Sequence, residues 1–169
     1  TGGNPDETFF PWVRRELEKL GHRTSAPVLP SSDWPDREGW IQVVMEAYDP
    51  AQETILIGRS LGGTLIPYLL EHIQVKAAFS IAAPINHLGW DNLIDFFSRE
   101  PDYSRARQHV QQYFHWYSDD DPHVPVEQGK AFQELLGGEF RLFHAYSHFY
   151  NQEFPELVEA VQKIIDLKV

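Results

Sequence analysis

At 169 residues, 42% of them apolar and 14% aromatic, the chain is long enough to close one core over residues 1–169 and too apolar to stay disordered. Cysteine is absent, which excludes disulfides, thiolate metal sites and a cysteine nucleophile. Fourteen Lys and Arg against 25 Asp and Glu give a formal charge of −11, a field that repels phosphate backbones and anionic membranes, so neither nucleic acid nor a membrane is the expected partner.

The chain opens on Thr1-Gly2-Gly3-Asn4-Pro5, which reads as a loop following a strand, so the first core strand is expected to be missing from the given chain. Phe10, Val13, Leu17 and Leu20 recur at helical spacing and Gly21 supplies a stop. Thr24 to Leu29 is a short candidate strand, and Glu38 to Tyr48 a second helix closed by Asp49-Pro50. Thr54-Ile55-Leu56-Ile57 is a continuous β-branched and aliphatic run, expected to be buried on both faces. A largely apolar helix over 61–72 and a strand over 75–82 follow. The stretch 85–106 is irregular, with a short helical segment near 92–97. Tyr113 to Tyr117 reads as a strand, Val126 to Leu136 as a helix, Phe140 to Phe143 as a strand, and a last helix carries Phe154, Leu157, Val158, Val161, Ile164 and Ile165. Strands alternating with helices call for an α/β fold with a parallel sheet covered on both faces. The most apolar run, 77–85, is far shorter than the ~20 residues of a membrane helix. With no disulfide chemistry available, a cytoplasmic location is expected.

Gly58-Arg59-Ser60-Leu61-Gly62 matches Gly-x-Ser-x-Gly, placed directly after a strand and opening a helix. There the motif has a steric meaning. A serine on a tight strand-to-helix turn projects its hydroxyl outward only if the residues two before and two after it leave room for strand and helix to meet. With nine serines and 11 glycines in the chain, two flanking glycines have a chance expectation of roughly 0.04. A helix-capping serine in a tight turn is the alternative.

A serine hydroxyl is a weak nucleophile, so Ser60 needs a base, a group to orient it, and donors for an oxyanion. On a sheet of this kind the acid and then the His follow in chain order, each on a loop after a later strand. Asp121, in Ser118-Asp119-Asp120-Asp121-Pro122-His123-Val124-Pro125, lies where the chain turns into the next helix and is the expected acid, with Asp119 and Asp120 facing solvent. His148, in Tyr146-Ser147-His148-Phe149, is the expected base. The pair His144 and His148 would converge on a metal only if it lay on a helix, and none is expected there, so no metal or other cofactor is assigned. The N–H of Leu61 and an N–H near Thr1 are the expected oxyanion donors. Phe9, Phe10, Trp90 and Phe97 are candidate walls of a substrate pocket.

Taken together, Thr1-Gly2-Gly3, the run Phe9-Phe10-Pro11-Trp12-Val13-Arg14-Arg15-Glu16-Leu17-Glu18-Lys19-Leu20, Gly58-Arg59-Ser60-Leu61-Gly62, the aspartate loop and Ser147-His148-Phe149 resemble the small α/β-hydrolases of the YdeN and retinoblastoma-binding-protein-nine type. The resemblance runs essentially end to end. It implies a single-domain α/β-hydrolase fold with a minimal lid, and it carries a triad onto Ser60, Asp121 and His148. Members open with a strand and a His-Gly-x turn, and this chain begins at the x. With no cysteine, the chain cannot carry the Leu-x-Cys-x-Glu segment by which the animal members bind the retinoblastoma protein. The expected activity is hydrolysis of a small-molecule acyl substrate, by a monomer or dimer. The rival is a hydrolase-fold binding module with little turnover.

Overall fold

The structure, a computed structural model, describes residues 4–167. Four parallel strands, β1 (Ile55–Arg59), β2 (Val75–Ile81), β3 (Val110–Ser118) and β4 (Glu139–Phe143), pair side by side in chain order. Parallel neighbours need crossovers, and helices supply them: α3 (Leu61–Leu69) joins β1 to β2, α4 (Tyr103–Gln108) precedes β3, and α5 (Val126–Leu136) joins β3 to β4. Two helices precede the sheet, α1 (Phe10–Lys19) and α2 (Arg37–Ala47), and α6 (Pro155–Asp166) follows it.

Strand alternation sorts the core into two layers. On one face, Ala77, Phe79 and Ile81 of β2 and Trp116 of β3 meet α1 and α6 through Val13, Leu17, Leu157 and Val161. On the other, Val75, Ala78 and Tyr113 meet Leu65, Ile66 and Leu69 of α3 and Phe132 of α5. Strand β2 is buried along its whole length, as a central strand should be. Strand β1 departs from the sequence expectation. Its residues other than Gly58 are only half-buried, because among the described residues it pairs on one side alone.

Thr24 to Leu29 is not a strand. The segment makes no ladder with β1, and a cavity of about 1650 Å³ lies between them, lined by Thr24, Ala26 and Leu29 on one side and Ile55, Ile57 and Arg59 on the other. Its β-branched and aliphatic residues have the composition of a strand but no neighbour to pair with. The irregular stretch also holds more helix than its sequence suggested. Asp102 caps α4 by accepting the Arg105 N–H at 2.9 Å, a role its loop-like neighbours concealed.

One buried group makes the core responsive to acid. His115 of β3 is fully buried, stacked against Tyr113 at 4.6 Å with Phe132 beyond, its Nε2 on the Gly137 carbonyl at 2.9 Å and its Nδ1 without a partner among the described residues. Burial pushes its pKa down to about 4, and the Gly137 carbonyl offsets only part of that. Because the unfolded chain binds this proton near pH 6.5 and the folded one does not, the associated stability is complete above pH 6.5 and is lost as the pH falls toward 4. The loss amounts to about 3 kcal/mol. Urea unfolding across this window should show a shallower pH dependence in His115→Phe than in the parent; identical slopes would contradict the assignment.

Candidate active site

Ser60 stands between β1 and α3 with φ 54° and ψ −130°, a left-handed backbone that costs a non-glycine residue of order 1–3 kcal/mol. Hydrogen bonds hold it there. Its N–H donates to the Ile81 carbonyl at 2.8 Å, and its carbonyl accepts from Gly63 at 2.9 Å and Thr64 at 3.2 Å. The glycines divide the steric work differently from the sequence expectation. A Cβ on Gly58 would lie 2.3 Å from the Gly62 carbonyl oxygen, and one on Gly63 would lie 2.8 Å from the Ala83 Cβ, whereas a Cβ on Gly62 would meet open space. Gly58 and Gly63 therefore permit the strand–helix contact, and Gly62 contributes only its backbone.

The loops after β3 and β4 bring Asp121 and His148 together. His148 Nδ1 donates to Asp121 Oδ2 at 2.8 Å, and the two side chains are 7% and 1% exposed. The other oxygen of Asp121 accepts the backbone N–H groups of His123 at 2.8 Å and Val124 at 3.0 Å, so the carboxylate is fixed from both sides. Burial pushes the Asp121 carboxyl up, but the His148 ring and these two N–H groups outweigh it and hold its pKa below the ordinary 3.8. For His148 burial prevails: its pKa falls below 6.5, the Asp121 carboxylate countering only in part while Arg59 and His123 add to the depression. The ring is therefore neutral at pH 7. With Nδ1–H committed to Asp121, its lone pair is on Nε2.

Ser60 and His148 line one end of the same large cavity. Leu61 lies beside Ser60 at the first position of α3, where a backbone N–H has no acceptor within its own helix. Thr1, the other expected oxyanion donor, lies outside the described residues. Of the four expected pocket walls the structure brings two to the cavity. Trp90 lines it beside His123, 41% exposed, and Phe10 lines it from α1. Phe9 is fully buried against Phe154 at 5.2 Å, a core residue. Phe97 turns the other way, packing on Phe96 at 5.6 Å beside Tyr68 and Phe132. Phe9 is the immediate neighbour of Phe10, and composition alone does not tell which of two such residues faces the cavity.

Three neighbours of the site escaped sequence reasoning. Arg59 donates from Nη1 to the His148 carbonyl at 3.0 Å and sits 5.3 Å over the Tyr150 ring. Burial lowers its pKa, yet a guanidinium stays charged. His123 meets His148 edge-on at 5.2 Å, Tyr150 at 6.3 Å and Trp90 at 6.1 Å, so three rings crowd the mouth. Position was the available signal, since Arg59 abuts Ser60, His123 follows Asp121 by two residues, and Tyr150 follows His148 by two. Asp119 and Asp120 are solvent-exposed, as expected, and their carboxylates also bond the His148 loop. Asp119 Oδ2 accepts from His144 Nδ1 at 2.5 Å, and Asp120 Oδ1 accepts the Ser147 N–H at 2.8 Å.

Because the Gly58 position is filled by backbone rather than by movable side chains, Gly58→Ala should destabilise the protein by about 1–3 kcal/mol. Gly62→Ala should cost less. Chemical denaturation of the two variants checks the order, and equal losses would contradict the steric assignment.

The family profile described as serine hydrolase matches residues 3–165. Serine hydrolase RBBP9 of Rattus norvegicus is 26% identical over 160 residues, spanning 93% of this chain and 86% of that protein. Among solved structures, the ydeN gene product of B. subtilis superposes with a TM-score of 0.87 at 18% identity, covering 97% of this chain and 94% of its own. XC6422 of Xanthomonas campestris, described as an α/β serine hydrolase without a lid, superposes at 0.61 with 22% identity, covering 97% and 75%. These two structural likenesses give the fold, single-domain α/β-hydrolase. The profile, spanning nearly every residue and both loops that meet at the cavity, gives the family: the chain belongs to the serine hydrolases.

Proposed function

We propose that the chain is a carboxylesterase-like hydrolase that cleaves a small ester, thioester or amide through an acyl-enzyme on Ser60. The observation that carries the reading is the buried 2.8 Å bond between Asp121 and His148, set on the same cavity as a serine held at φ 54°. Ser60 Oγ attacks the carbonyl carbon while its proton passes to His148 Nε2, and Asp121 stabilises the imidazolium without itself taking the proton. The leaving group departs carrying that proton. Water then attacks the acyl carbon, again losing a proton to Nε2, and the acid is released as Ser60 Oγ recovers it. The Leu61 N–H faces the developing oxyanion, a kind of contact worth about 10²- to 10³-fold in rate per donor.

Two measurements test this. A fluorophosphonate should label the protein covalently and fail to label Ser60→Ala; equal labelling of both would overturn the role of Ser60. Because His148 must be neutral to act and its pKa is depressed, the acid limb of kcat/KM should fall below pH 6.5 rather than above it. A limb above 6.5, or none, would count against His148 as the base.

A further inference from the structure

Between β4 and α6 the chain alternates into left-handed backbone at Ala145 (φ 61°), Ser147 (φ 51°) and Phe149 (φ 54°), none of them glycine. Each such residue is strained and persists only where the surroundings over-determine it. His148 lies between the last two. Its ring is thus aimed by a turn that the residues' own preferences would undo, so something outside the turn must hold it.

The aspartate loop holds it through consecutive backbone N–H groups. The Ala145 N–H donates to Asp119 Oδ1 at 3.3 Å, the Tyr146 N–H to Ser118 Oγ at 3.0 Å, and the Ser147 N–H to Asp120 Oδ1 at 2.8 Å. Ser118 and Asp120 act as a unit, because the Ser118 hydroxyl donates to that same Asp120 oxygen at 2.6 Å while accepting from Tyr146. Ser118 is 1% exposed, the buried member of a row whose flanking contacts are exposed. The next residue on each strand of this contact is Asp121 facing His148. Two loops separated by 27 residues in sequence are therefore joined step by step, and the last step is the acid–base pair itself.

We propose that Ser118 and Asp120 are positioning residues for the hydrolase reaction: together they clamp the left-handed turn at 145–147 and so set the aim of His148 at Ser60. The proposal rests on the reading of His148 as the base. Neither residue touches the substrate. Their task needs an acceptor oxygen at Asp120; its charge strengthens the two bonds but does not set where they point.

The test combines kinetics with an NMR titration of the His148 imidazole in the full chain. In Asp120→Ala, kcat should fall about 10- to 100-fold, the scale of a misaimed group, with KM changed less than about threefold. The titratable groups facing His148 are Asp121, Arg59, His123 and Tyr150. When the turn loosens, burial and the Asp121 contact relax together, and the His148 midpoint should rise toward 6.5. Asp120→Asn, which keeps the acceptor oxygen, should retain the parent kcat and midpoint. A folded Asp120→Ala with both quantities unchanged overturns the proposal, as does an Asp120→Asn that loses as much as the alanine variant. If Asp120→Ala does not fold, Ser118→Ala replaces it, with the same two shifts expected and their absence equally decisive. The titration needs no turnover, so the two readings fail separately. Full activity in Ser60→Ala would sink the proposed chemistry alone, and an unmoved midpoint would sink the clamp alone.

Discussion

Parallel pairing in register is the constraint from which the site follows. Because Arg59, Ile81 and Trp116 sit on one row of the sheet and Ser118 pairs with Phe143, the strands end on one side, and whatever follows them in sequence is delivered to a common rim. Ser60 is the first residue after β1. Asp121 is three residues past β3, and His148 five residues past β4. The ladder that also builds the core brings them to one rim, and contacts between the loops after β3 and β4 join Asp121 to His148 there. The site inherits its geometry from backbone hydrogen bonds, which are far less tolerant of drift than side-chain packing.

The same rim is where the backbone is strained. Ser60, Ala82, Ala145, Ser147 and Phe149 all carry left-handed φ angles, and all follow the end of β1, β2 or β4. Strain at a strand end has a local compensation. The Ser60 N–H bonds the Ile81 carbonyl and the Ala82 N–H bonds the Trp116 carbonyl, each extending the ladder by one step past the regular strands. Rigid sheet and strained turn are thus one continuous hydrogen-bonded object, a better platform for fixing a hydroxyl and an imidazole than a free loop.

The helices, the strained turn at Ser60 and the meeting of Asp121 with His148 were legible in the sequence because each depends on short-range patterns: apolar periodicity for the helices, glycine spacing around Ser60, and chain order for Asp121 and His148. What was not legible depends on partners far away in sequence. Thr24 to Leu29 has strand composition, but a strand exists only if another pairs with it. Phe9 and Phe10 are adjacent and identical, yet one is fully buried and the other only partly, a distinction set by which of them meets Phe154. Gly62 fits the motif as well as Gly58 does, but only the coordinates reveal that one would clash and the other would not.

The aspartate loop shows how a charge cluster can carry structural contacts. Three adjacent carboxylates repel one another, at about 1 kcal/mol per pair at 4 Å in water and more where water is excluded. That repulsion would ordinarily splay such side chains into solvent. Here each is met by donors from the opposite loop, His144 and the Ala145 N–H for Asp119, the Ser147 N–H for Asp120 and His148 for Asp121, and Asp120 also accepts the Ser118 hydroxyl from its own side. Hydrogen bonds to an ionised acceptor are the stronger kind, so a row of carboxylates is better suited than a row of amides to gripping a backbone that resists its own conformation. Neutral acceptors in the same places would keep the contacts and weaken each of them. The advantage of charge is therefore one of grip, while the aim of His148 depends on where the accepting oxygens stand.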